Sequence, residues 1–359
     1  MEPSTAIRSV APWLGVLFAL LFSLNSLGGW VRLSGSGVAI PQWPLVDGSL
    51  LPPLGEVAWL RVKASYDADQ KRLNRKVEQG DLSHANRGRI PASLADFKTM
   101  FLIEWAHRLF AALVGVVTLA CLTVVLRQAE VRRRAGGPLL AATGLILLQA
   151  VLGGMLVAHG TGTHFLFLHQ GNAACIMACI LIALLRLVDG PLPPLNILTA
   201  RRGLGILAGV TLVATWGELV VGALVAGSRN GRPFRVFAPG EGFALWRHDA
   251  GLAWNLLDNT ALHQWLHRFS GWGLVALLAV VYFFAWRQRH LCGPRTRLAL
   301  MVSATFLPVQ LLLGLANVEV GFTPLISLGH QFMGMCLFLS LVLVWHDVRH
   351  ETLPDREVI

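Results

Sequence analysis

Residues 101–126 read FLIEWAHRLFAALVGVVTLACLTVVL and residues 262–286 read LHQWLHRFSGWGLVALLAVVYFFAW, two apolar runs that each carry Trp-x-His-Arg near the start. About 20 apolar residues are enough for a helix to cross a hydrocarbon core of ~30 Å. Six further runs of this kind lie near 12–31, 138–158, 164–187, 204–226, 298–318 and 325–346, giving eight predicted spans. Of 359 residues, 54% are hydrophobic and 14% charged, far more apolar than a soluble domain of this size requires. The expected fold class is all-α, a polytopic membrane protein whose eight transmembrane helices form two tandem four-helix bundles. The first run is as long as a full span and no small-residue cleavage site follows it, so it reads as a helix and not as a signal peptide.

The formal charge of +10 does not point to nucleic acid, because no soluble basic domain or aromatic-basic platform carries it. It reads as topology. Arg127 and Arg132 to Arg134 follow span two, Arg186, Arg201 and Arg202 follow span four, and Arg287, Arg289, Arg295 and Arg297 follow span six. These loops are expected on the cytoplasmic side, which places both termini there. Five cysteines, Cys121, Cys175, Cys179, Cys292 and Cys336, lie in spans or at the cytoplasmic edge and read as packing residues.

Working outward from the two quoted runs, the chain repeats itself with a period of about 160 residues. Glu104-Trp105-Ala106-His107-Arg108 corresponds to Gln264-Trp265-Leu266-His267-Arg268. Gln149 to Gly153 corresponds to Gln310 to Gly314, and His169-Gln170 to His330-Gln331. His107 and His169 are 62 residues apart, His267 and His330 63. Spans one and five match least, sharing little beyond Gly29 and Gly222. Four spans per unit give the two halves one orientation, a parallel repeat. The expected division is 1–190, with a long outer loop over 32–98, and 191–359.

With the termini inside, His107, His169, His267 and His330 fall at similar depth, within about two helical turns of the outer end of their spans. An ionisable group in hydrocarbon is costly unless paired or ligated, and imidazole is an axial ligand for heme iron. Two histidines on separate helices of a four-helix unit can clamp a flat macrocycle, so each half offers one heme pocket. For a lone intramembrane histidine an interhelical hydrogen bond would be the simpler reading; duplication of the pair favours heme. Arg108 and Arg268 either reach the heme propionates or snorkel to the interface.

Glu104 breaks the repeat, since its counterpart is Gln264. It lies three residues before His107 on nearly the same helical face, where a carboxylate can move protons; the simpler reading is that it only hydrogen-bonds neighbouring backbone or pairs with an arginine. His263 and His267 are spaced like a zinc-protease pair, but Gln264 stands where that motif needs Glu. His263 is expected to line the second pocket or its rim. His159 and His164 flank an outer Gly/Thr loop, and His290, His346 and His350 are expected at the cytoplasmic surface.

These motifs, with Arg32 to Gly37, Trp43-Pro44, Leu51 to Leu54, Asp96-Phe97-Lys98 and Asp258 to Leu262, resemble the heme A synthase family over nearly the whole chain. The long first outer loop, and the absence of the outer-loop cysteine pair of some members, resemble the proteobacterial and mitochondrial branch. The resemblance implies that His107 and His169 hold the substrate heme O, that His267 and His330 hold a resident heme b, and that Glu104 is the essential carboxylate. The implied reaction oxidises the C8 methyl of heme O to a formyl group through hydroxylation, with water as oxygen source, giving heme A for cytochrome c oxidase. Implied partners are heme O synthase, cytochrome c oxidase assembly factors, an electron-transfer partner, membrane lipid and a second copy of the chain as a homo-oligomer. His263 departs from the family's pattern and leaves ligation in the second pocket open. A di-heme b-type electron-transfer cytochrome and a heme chaperone or transporter are the competing readings; Glu104 against Gln264 favours the enzyme.

Overall fold

The computed structural model describes residues 4–42, 48–79, 89–158, 163–189, 202–227, 244–321 and 323–350. The eight predicted spans all fall inside observed helices: α1 (Thr5–Leu33), α3 (Leu94–Arg127), α5 (Gly137–Ala158), α6 (Thr163–Asp189), α7 (Arg202–Gly227), α9 (Thr260–Arg287), α10 (Pro294–Glu319) and α11 (Pro324–His350). Three lesser helices are α2 (Glu56–Glu78), α4 (Ala129–Val131) and α8 (Leu252–Leu257). The 8 long helices are each long and apolar enough to cross a membrane. Leu109, Leu113, Val116 and Leu119 stand exposed along α3, as Leu298, Met301, Leu312 and Leu315 do along α10. A lipid solvent makes that exposure free of cost, and the chain is a multi-pass membrane protein of all-α class.

Helix ends follow local chemistry. Ser93 caps α3 by accepting the Asp96 amide at 3.0 Å, and Asn259 caps α9 by accepting the Leu262 amide at 3.1 Å. Pro294, at the first turn of α10, gives up an amide that no helix would have used.

The outer segment 32–98 is not all loop. It contains α2, whose Trp59, Val62 and Tyr66 recur at helical spacing on one face, while Val57 and Leu60 stand exposed on another among mostly polar residues. That face packs with Ala39, Ile40, Phe97, Met100 and Phe101 in one cluster, and Trp59 meets Phe101 edge to face with ring centres 4.9 Å apart. The cluster supports α3 for about two turns beyond its apolar run, from Leu94 and not from residue 101. His107 is therefore deeper from the start of its helix than the apolar pattern implies.

α6 packs against α7 and α11, and α11 packs against α1, so elements from both parts of the chain interleave. Trp216 Nε1 donates to the Gly171 carbonyl at 3.0 Å, and Gln331 Nε2 donates to the Asn25 carbonyl at 3.3 Å. At the opposite end Arg295 donates to Asp189 at 2.6 and 3.1 Å and also to Asp347, joining α10, α6 and α11. His346 is fully buried beside them, its Nδ1 3.4 Å from Asp347 and 3.7 Å from Asp189. It is not the surface residue expected from its place near the chain's end, because the carboxylates draw it inward. Asp189, His346 and Asp347 are close enough to share a metal ion, but Arg295 already answers both carboxylates.

Arg295→Met should strand two carboxylates, one of them fully buried, and lower stability by about 3 kcal/mol. The thermal midpoint in detergent checks this, and adding Asp347→Asn should recover part of the loss.

Candidate functional site

His267 on α9 and His330 on α11 come together, with ring centres 6.1 Å apart and planes at 88°. Both line a cavity of about 770 Å³ that also meets Glu218, Gln264, Arg268 and Gln310. Its rim takes Arg32 and Arg89 from the first outer segment, giving three cations with Arg268. His330 Nδ1 lies 3.1 Å from the Gln310 carbonyl; a proton on Nδ1 donated there leaves Nε2 with its lone pair, toward which the Gln310 side-chain amide nitrogen stands at 3.3 Å. Space for the rings comes from glycine. A Cβ on Gly222 would sit 3.1 Å from His267 Cε1, and one on Gly314 would sit 3.0 Å from His330 Cε1.

The earlier pair is built alike. His107 on α3 faces Gly28, whose Cβ would stand 3.3 Å from Nε2, and His169 on α6 faces Gly153 at 3.5 Å. The geometry pairs Gly28, and not Gly29, with Gly222; Gly29 instead receives Gln331 from α11. Gln149 Nε2 donates to the His169 carbonyl at 3.1 Å, and its amide oxygen accepts from Asn172 at 2.6 Å. His169 Nδ1 is buried with no hydrogen-bond partner among the described residues.

Glu104 is 3% exposed. Its Oε2 accepts the Ile40 amide at 2.9 Å and its Oε1 accepts Arg108 at 2.6 Å. Arg108 also donates to the carbonyls of Ile40 at 2.6 Å and Gln42 at 2.5 Å. The guanidinium thus ties the outer segment to α3 beside Glu104, a use that neither propionate binding nor snorkelling anticipates. Arg268 keeps the same i,i+4 relation to Gln264, at 3.4 Å.

This donor set fits heme. Two imidazoles at 6.1 Å accommodate one metal ion at about 2 Å from each ring. The volume of the cavity at His267 and His330 is in the range of small-molecule sites; His107 and His169 do not line it, but buried His169 Nδ1 lacks a partner among the described residues. His263, in contrast, is not on the cavity: its Nε2 lies 2.8 Å from the Leu256 carbonyl, so the ring holds α8 to α9. His159 and the side chain of His164 lie outside the described residues. All five cysteines are free.

Sequence reasoning missed Glu218 on α7. Its Oε1 is 2.7 Å from His267 Nδ1, and its Oε2 accepts from the Ser270 hydroxyl at 2.5 Å. A carboxylate within a membrane span is itself a signal, but the weak match of spans one and five hid what it faces.

The COX15-CtaA family, cytochrome oxidase assembly protein, matches residues 11–342. The chain is 31% identical over 353 residues to a protein of Paracoccus denitrificans named Heme A synthase, covering 94% of this chain and 87% of that one. It is 34% identical over 376 residues to the Heme A synthase of Rhodospirillum centenum, covering 98% and 92%. The Heme A synthase of Cereibacter sphaeroides is 32% identical over 376 residues, covering 98% and 90%.

Gly314→Leu should push the His330 imidazole out of place and weaken heme binding by about 10-fold or more, read as lost b-type absorbance of the purified protein. Gly217→Ala, where a Cβ meets nothing within 4 Å, should leave it unchanged.

Proposed function

The chain belongs to the COX15-CtaA family of cytochrome oxidase assembly proteins, and from that premise we propose that it oxidises the C8 methyl of heme O to a formyl group, making heme A for cytochrome c oxidase. The observation that carries this reading is the histidine pair on separate helices in each half, with buried Glu104 three residues before one member.

In this reading residues 1–190 hold the substrate heme O between His107 and His169, and residues 191–359 hold a heme b between His267 and His330. Taking a methyl group to a formyl group with water as oxygen source releases four protons and four electrons. Glu104 accepts a proton beside the substrate, while Arg108 fixes the carboxylate and closes the Ile40–Gln42 strap over it. Arg268, with Arg32 and Arg89 on the cavity rim, receives the propionates of the second heme. Heme b, when bound, supplies one-electron redox chemistry, and the electrons leave to a membrane electron-transfer partner. Heme O comes from a heme O synthase and the product goes to oxidase assembly factors. The arginine-bearing loops after α3, α6 and α9 support a reading with both termini on the cytoplasmic side of a bacterial inner membrane.

Membranes holding this protein and a source of heme O should yield heme A on extraction and chromatography; a di-heme cytochrome or a heme carrier would yield none. Glu104→Ala should keep the b-type spectrum and cut formyl formation by about 100-fold or more. Full activity in that variant removes Glu104 from the chemistry. For topology, an alkaline phosphatase fusion after Gly321 should be active and one after Arg186 inactive.

A further inference from the structure

We infer that Glu218 is a positioning residue for His267 and sets the redox potential of the heme held by His267 and His330, a role that rests on the heme b reading above. The carboxylate approaches His267 from α7, Oε1 standing 2.7 Å from Nδ1. The contact is within hydrogen-bond distance but not in hydrogen-bond geometry, and turning the imidazole to bring Nδ1–H onto Oε1 makes it one. Nε2 is then the nitrogen left for iron.

The niche for this carboxylate is built on purpose-made neighbours. Ser270, three residues after His267, has its hydroxyl 2.5 Å from both Oε2 and the Leu266 carbonyl, which share its one proton, and Gly271 leaves the room that its Cβ would fill, 3.3 Å from Oε1. The corresponding positions of the earlier half are Phe110 and Ala111 on α3, and Leu24, four residues before Gly28, stands where Glu218 stands before Gly222. Three residues on two helices therefore differ together, and they differ so that only His267 meets a carboxylate from the preceding long helix. The other ligand of the same pocket, His330, faces the neutral carbonyl of Gln310.

A carboxylate accepting the Nδ1 proton makes the imidazole a stronger donor to iron, which favours the ferric state and lowers the potential. The two hemes can then share one ligand type and still differ in potential.

The test uses the full-length purified protein with its native heme and compares wild type with Glu218→Gln and Glu218→Asp. Glu218→Gln should retain b-type heme, shift its midpoint potential upward and move the low-spin ferric resonances; Glu218→Asp should restore part of both. Retained heme with unchanged potential and resonances overturns the inference and leaves the proposed function standing. A wild-type protein with no b-type heme overturns both. Ser270→Ala, which loosens the carboxylate without removing it, should give a smaller shift in the same direction; where the Glu218 variants do not accumulate, no shift in Ser270→Ala overturns the inference.

Discussion

A hydrocarbon interior offers no water to a polar group, so each imidazole within a span must find a ligand or a partner. The arrangement around the four histidines follows from that constraint. Each ring is packed against a glycine of a neighbouring helix, Gly28, Gly153, Gly222 or Gly314, which lets two helices approach closely enough to present an imidazole between them. Polar groups that do not face a pocket are answered by their own neighbours: Arg108 by Glu104 and two carbonyls, His346 by Asp189 and Asp347, and His263 by the Leu256 carbonyl.

The contrast of Glu104 with Gln264 marks the halves as different, but the difference is one of placement. Both histidines of the Trp-x-His-Arg motif have a carboxylate nearby. In the earlier half it lies on the same helix, one turn before His107, and is held by the outer segment. In the later half it comes from α7 and touches His267 itself. A carboxylate clamped by an arginine and an amide is suited to handling protons beside a substrate, whereas one against a ligand's Nδ1 is suited to tuning the iron.

The eight helices and the four histidines were legible because apolar runs and a repeat are local or nearly exact signals. Every predicted span lies within an observed helix. α2 was not read, since its polar composition hides a one-sided apolar face, although Trp59, Val62 and Tyr66 carry the helical spacing. Glu218, and the burial of His346, escape the sequence for a different reason. Glu218 meets His267 49 residues away, and His346 sits beside Asp189, 157 residues away, as well as its neighbour Asp347; no pattern within one span announces the long-range meetings. The use of Arg108 as a strap on Ile40 and Gln42 is likewise a long-range contact that spacing alone does not display.

The central claim is that the two pockets hold different hemes for different purposes. Its most direct measurement is the heme composition of two purified double variants made in cells that supply heme O. His107→Ala/His169→Ala should retain heme b and contain neither heme O nor heme A, while His267→Ala/His330→Ala should lose heme b. Heme O or heme A persisting in the first variant, or heme b persisting in the second, would contradict the account.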